Sequence, residues 1–273
     1  MSVVLSGGKR ELILAVPWMN SAGMLGFGAE GRQLLNPNAL GAFVTAPISL
    51  HPRTPARGTR THSMPGGLLL HTGLPNPGLR RALDREMPYW ETLNVPLILH
   101  LLLEDPRDLA QAGSALEHAH RLDGVEIGLE IIRPDQAAEI TSEAFRFQLP
   151  FILRLPLNCP DEVYLAADAA DAPALAMGPP RGRAVPSTGE AFSGRIYGPS
   201  LFPMLMEKLH RLRPRLHCPL LAGVGLFTLA NVREALRAGA DAVQLDTLLW
   251  MHPEILEDLT LDFHRQGSEL PAE

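Results

Sequence analysis

In the run Gly124-Val125-Glu126-Ile127-Gly128-Leu129-Glu130, polar or small residues alternate with large apolar ones. Successive side chains of a β-strand point to opposite faces, so Glu126, Gly128 and Glu130 share one face while Val125, Ile127 and Leu129 share the other. A second apolar run, Phe151 to Leu155, places Ile152 and Arg154 on a common face. If the two runs are neighbouring strands with their apolar faces turned outward, the carboxylates and the guanidinium meet inside the protein. Two kinds of chemistry fit that arrangement. In one, Glu130 handles a proton and Arg154 clamps an anion through charge-assisted hydrogen bonds. In the other, arginine and glutamate form an internal ion pair, the simpler outcome, because buried charges need partners whatever their function. His100 ends a third run and could bring an acid-base group to the same place, although a lone histidine is more often packed and hydrogen-bonded. His118 and His120 are two apart on a helical stretch and so do not share a face, which makes them poor metal ligands, and no metal site is expected. Asp168 with Asp171, and Glu254 with Glu257 and Asp258, read as solvated charges.

The elements that must position these groups recur along the whole chain. Short apolar runs near Pro17 to Asn20, Ala42 to Thr45, Pro96 to Leu101, Gly124 to Leu129, Phe151 to Leu155, Pro173 to Ala176, Pro219 to Ala222 and Ala242 to Leu245 read as strands. Helical patterns follow them, the clearest being Pro106 to Leu122, Pro134 to Phe147, Ser200 to Leu212, Thr228 to Ala238 and Pro253 to His264. Proline just inside a helix start and threonine at an N-cap are expected start signals, met here by Pro134 and Thr228. Near-continuous apolar strands separated by helices imply a parallel sheet covered on both sides, and eight such units imply closure into a (β/α)8 barrel. Val3 to Leu5 and Leu12 to Ala15 flank a glycine pair and read as a hairpin that can plug the barrel bottom. The stretch His51 to His62, HPRTPARGTRTH, is too polar and proline-rich for a helix and reads as a loop excursion after the second strand.

A length of 273 residues suits one such barrel, so residues 1–273 are expected to form a single domain. With 46% apolar and 20% charged residues the chain is neither disordered nor fibrous, and a net charge of −6 gives no reason to expect nucleic acid. Cys159 and Cys218 form no paired motif, no apolar run is long enough to span a membrane, and no secretory leader pattern is present, which together point to a cytoplasmic protein. Of 24 basic residues only Lys9 and Lys208 are lysine, so chemistry that needs a deprotonatable ammonium has two candidates. No acidic residue occurs between Gly31 and Leu83, although that stretch holds six arginines. It is either a patch for a small anionic ligand or partner, or a solvated arginine loop.

Several phrases, in order along the chain, resemble the dihydroorotate dehydrogenase family. They are WMNSAGMLGFG from Trp18 to Gly28, LGAFVTAPISLHPRTPARGTRTHSMPGGLLLHTGLPNPG from Leu40 to Gly78, PFILRLPLN from Pro150 to Asn158, SGRIYGPSLFP from Ser193 to Pro203, and LLAGVGLFTLANVREALRAGADAVQLDT from Leu220 to Thr247. The resemblance implies a (β/α)8 barrel, an FMN cofactor and oxidation of a CH–CH bond. It also implies that Ala22 and Gly23 lie beside the flavin, with Thr45 and Arg154 near it, and that Gly198, Gly225 and Thr247 lie around its phosphate. Homodimerisation is a further implication.

The same resemblance exposes departures. Glycine stands in the family where this chain has Asp246, and a carboxylate about 4 Å from a phosphate charge repels it by roughly 4 kcal/mol at an effective dielectric near 20. The family's loop after the fourth strand carries a cysteine or serine base, whereas here Glu130-Ile131-Ile132-Arg133-Pro134 runs almost directly into a helix. Ala46 and Arg154 occupy the places of two lysines, and Leu70 and Met177 those of pyrimidine-binding asparagines. Two expectations follow. One is a non-catalytic or repurposed paralogue, serving as a subunit, scaffold or binder; the other is an FMN-dependent CH–CH oxidoreductase with a changed substrate.

Overall fold

A computed structural model of the chain describes residues 3–7, 10–29, 35–103, 105–116, 119–129, 133–186 and 189–268. Eight parallel strands, Trp18–Asn20, Phe43–Val44, Leu97–Leu102, Gly124–Gly128, Phe151–Pro156, Leu175–Gly178, Leu220–Ala222 and Ala242–Leu245, lie within a residue or two of the runs expected from sequence. They pair in ring order from the second round to the eighth, and the eighth pairs with the first, Val243 opposite Trp18 and Leu245 opposite Asn20. The seam between the first and second strands is closed differently. The Asn20 side chain donates to the Val44 carbonyl (2.6 Å) and accepts from the Val44 N–H (2.9 Å), standing in for a missing ladder pair.

Helices Leu79–Trp90, Asp108–Leu116, Pro134–Ala144, Asp161–Ala169, Phe202–Leu212, Leu229–Arg237 and Ile255–Ser268 follow the second to eighth strands in turn. Thr228 caps its helix by accepting from the Asn231 N–H. The stretch expected to be helical from Pro106 to Leu122 is helical only over Asp108–Leu116, and His118 lies outside the described residues. After the first strand the described chain makes turns and one 3-10 turn, Pro37–Ala39, instead of a helix. No described helix is long and apolar enough to cross a membrane.

The barrel has two apolar layers. Outward-facing strand residues such as Val125, Ile127, Leu153 and Leu245 pack under the helices. The interior is unusually small-sided, with Ala42, Ala174, Ala176 and Ala242 among Met19, Val44, Ile98, Ile152 and Leu221. Leu5, Leu12 and Leu14 of the hairpin Val3–Gly7/Arg10–Leu14 fill the space those alanines leave, so the hairpin plugs the barrel from below. Leu14 is fully buried, and truncating it to alanine is expected to cost about 2 to 5 kcal/mol. A urea midpoint unchanged in Leu14→Ala would show that the plug is dispensable.

A second sheet of four antiparallel strands follows the excursion, in the order Arg181–Ala184, Phe192–Tyr197, Gly67–Leu70, Thr61–Met64. The excursion is irregular through Arg60, as expected, but Thr61 and His62 already belong to a strand. Gly198 (φ 133°) closes this sheet onto the barrel: a Cβ there would lie 2.4 Å from the Gly66 carbonyl oxygen. Lys208 is buried in the outer layer, donating to the Cys159 carbonyl (2.5 Å) and to Asp161 (2.7 Å). Asp168 is not the solvated charge expected. Its carboxylate is almost fully covered and accepts from the His217 and Cys218 N–H groups at 3.0 and 2.9 Å.

Candidate functional site at the barrel mouth

Register sets the geometry at the carboxyl end of the barrel. His100 lies opposite Glu126, and Gly128 opposite Arg154. All three ionisable side chains turn inward, as alternation requires, and Gln244 joins them from the eighth strand. His100, Glu126 and Gln244 are wholly buried and Arg154 is nearly so. Glu126 is the hub: its Oε1 meets His100 Nδ1 at 2.6 Å and Arg154 Nη1 at 3.5 Å, and its Oε2 accepts from Gln244 Nε2. Arg154 Nη2 also donates to the Ser21 hydroxyl at 2.6 Å. Thr45 fixes the third strand, because its Oγ1 accepts from the His100 N–H at 3.0 Å and donates to the Ala46 carbonyl.

The electrostatics follow from this packing. Burial alone would raise the Glu126 carboxyl, but Arg154, His100 and Gln244 outweigh it and hold the group down at about 2. Glu126 is therefore an anion. Burial also lowers His100, against the opposing pull of Glu126, so the imidazole is neutral. Facing a carboxylate at 2.6 Å, Nδ1 must carry the proton, which leaves a lone pair on Nε2. A carboxylate orienting an imidazole in this way is the arrangement of a general base.

The ion pair expected inside the barrel is present, but with Glu126. Glu130 lies outside the described residues. Sequence reasoning passed over Gln244 and Ser21. Gln244 had a signal, as the one polar residue in the strand Ala242–Leu245, spaced by two from Ala242 on the inward face. Ser21 had none, because it follows the first strand in a turn-rich segment.

The residues expected around a cofactor fall at the same end. Ala22 is buried, and Gly23 (φ 88°) packs against Pro47, with 3.4 Å from its Cβ position to that ring. Gly225 (φ 76°) lies under Leu201 and Phe202. Asp246, 1% exposed, lies beside Gly225 and Thr247; the Thr247 hydroxyl is 3.3 Å from its Oδ1, while its Oδ2 has no hydrogen-bond partner. Burial dominates the neighbouring donors and pushes the Asp246 carboxyl up to about 6.

No family model matches the chain. Curated relatives do. A dihydroorotate dehydrogenase B (NAD(+)) catalytic subunit from Pelobacter propionicus is 26% identical over 285 aligned positions, covering 97% of this chain and 92% of the relative. Proteins of the same name from Geobacillus kaustophilus and Bacillus caldolyticus are 26% and 27% identical, each covering 92% of this chain and 87% of the relative. With a barrel fold in which the matched phrases fall on the strands and strand ends, the chain is a strongly diverged relative of the dihydroorotate dehydrogenases.

Proposed function

We propose that this is a dihydroorotate-dehydrogenase-like barrel repurposed away from flavin-dependent dihydroorotate oxidation, with a polar site of its own at the mouth. One observation carries the reading: at the strand end that the family resemblance assigns to a flavin phosphate, the chain places its own buried Asp246 carboxyl, which accepts from the Thr247 hydroxyl at 3.3 Å. A buried carboxylate there opposes a phosphate by charge.

Three glycines support the same reading. A Cβ at Gly128 would lie 2.4 Å from His100 Nε2, one at Gly178 2.8 Å from Arg154 Nε, and one at Gly223 2.9 Å from Gln244 Oε1. The room beside these backbones is thus filled by the polar cluster. The residues present do not fit FMN in the family manner. On this reading the partner is a small anionic ligand or a protein subunit, the latter supported by the relatives' being named as catalytic subunits.

The alternative, an FMN-dependent CH–CH oxidoreductase, has the relatives' shared name in its favour. Titrating FMN into the folded, full-length protein at neutral pH separates the two. The expected result is a colourless protein without stoichiometric uptake. A yellow protein holding one FMN per chain, bleached anaerobically by dihydroorotate, would replace this reading with the oxidoreductase.

A further inference from the structure

The cluster leaves three buried side-chain atoms without a hydrogen-bond partner: Gln244 Oε1 and a complementary pair, His100 Nε2 and Arg154 Nε. His100 and Arg154 line one small cavity at the mouth, together with Gly128, Gly178, Arg181 and Arg195. Gly128 and Gly178 are the two positions where a methyl group would press on the atoms of this pair, at 2.4 and 2.8 Å. One atom of the pair is an acceptor and the other a donor. His100 Nδ1 gives its hydrogen to Glu126, so Nε2 offers a lone pair, while the Arg154 Nε–H is fixed by the bonds of its Nη atoms to Glu126 and Ser21.

A buried donor and a buried acceptor left unmade each cost about 1 to 3 kcal/mol, so a ligand that satisfies both gains from both. It must present an oxygen to Arg154 and a hydrogen to His100. Three arginines and no acidic side chain are among the described residues that line the cavity, which favours an anion. Resting on the reading that this mouth is no longer a flavin site, we propose that it binds a small oxyanion carrying its own hydroxyl hydrogen, bicarbonate being the smallest, between Arg154 Nε–H and His100 Nε2. Nitrate and formate share the charge and approximate size but bring no hydrogen, and would turn an oxygen towards the His100 lone pair.

The test is calorimetry on the full-length protein with bicarbonate, nitrate and formate at matched ionic strength and mildly alkaline pH, paired with nitrogen-15 resonances of the histidine rings. Bicarbonate should bind at least about tenfold more tightly than nitrate or formate, the size of one hydrogen bond to a charged group, and should shift the His100 Nε2 resonance. Arg154→Lys keeps the positive charge for Glu126 but has no Nε–H, and should lose about tenfold in bicarbonate affinity. If that variant fails to fold, the wild-type ligand series and the His100 resonance still decide. No binding at tens of millimolar bicarbonate, or equal binding of all three anions, would overturn the site. That failure leaves the preceding reading intact, whereas stoichiometric FMN uptake would remove its basis.

Discussion

Glu126→Ala is expected to destabilise the protein by about 3 to 5 kcal/mol, because it removes the one anion on which His100, Arg154 and Gln244 converge and leaves a buried guanidinium without its carboxylate. The penalty comes from the groups left behind more than from the bonds lost. Arg154→Met in the Glu126→Ala background should therefore recover part of the loss, since an apolar replacement of both partners is far less costly than a broken pair. The pH dependence has a definite sign. With its folded pKa depressed to about 2, Glu126 contributes stability above its ordinary carboxylate range, and that contribution disappears as pH falls through about 2. Urea unfolding of wild type and variant should thus diverge at neutral pH and converge in strong acid. A difference below about 1 kcal/mol at neutral pH would mean that water reaches the cluster and screens it.

Asp246→Gly is expected to raise affinity for phosphate-bearing ligands by up to about a thousandfold at alkaline pH. Removing the carboxylate abolishes a repulsion of roughly 4 kcal/mol at an effective dielectric near 20. The wild-type group is held near 6 by burial, so its charge, and with it the repulsion, should fade as pH drops below that value. The gap between wild type and variant is then wide at alkaline pH and narrow in mild acid. Linkage adds an independent readout. A carboxyl whose folded pKa is raised makes the wild type lose stability as pH climbs from about 4 through 6, and this slope should vanish in the variant. FMN fluorescence and inorganic phosphate titrations read different parts of the site. A gain for phosphate without a gain for FMN would assign exclusion of the ring to His100, Arg154 and Gln244, and no gain for either would refute the role given to Asp246.

The barrel was legible because its strands are buried on both faces and so read as short apolar runs, each followed by a helical pattern. Alternation also told which way Glu126 and Arg154 point. It did not tell which acidic residue Arg154 would meet, because that depends on stagger between strands: the register puts Arg154 opposite Gly128, within reach of Glu126. The mouth sheet was only half visible. Thr61–Met64 and Gly67–Leu70 lie within a phrase that carries the family resemblance, whereas Arg181–Ala184 alternates arginine with glycine and alanine, and in Phe192–Tyr197 the one apolar face, Phe192, Gly194 and Ile196, is interrupted by glycine. Their closeness instead shows in glycine, as at Gly194, where a Cβ would lie 2.4 Å from the Leu70 carbonyl oxygen. Asp168 was misjudged because its partners are main-chain N–H groups some fifty residues away, as in the bond to Cys218, which no charge pattern records.

The way the ring is closed has a consequence for how the chain assembles. Trp18–Asn20 forms ladder bonds only with Ala242–Leu245, more than two hundred residues later in synthesis, and the leucines of the preceding hairpin also rest partly on that last strand. Until it arrives, the first strand is tied to the second and the residues just before it by the amide of Asn20, by the Gly41 N–H on the Trp18 carbonyl and by the Trp18 indole N–H on the Ala39 carbonyl. Closing so long a loop costs little more free energy than closing one half its length, about 0.6 kcal/mol per doubling, but contacts of such sequence separation are slow to form. The first strand of the ring is thus among the last to be locked, and a handful of hydrogen bonds to the segment just after it keep its place in the queue.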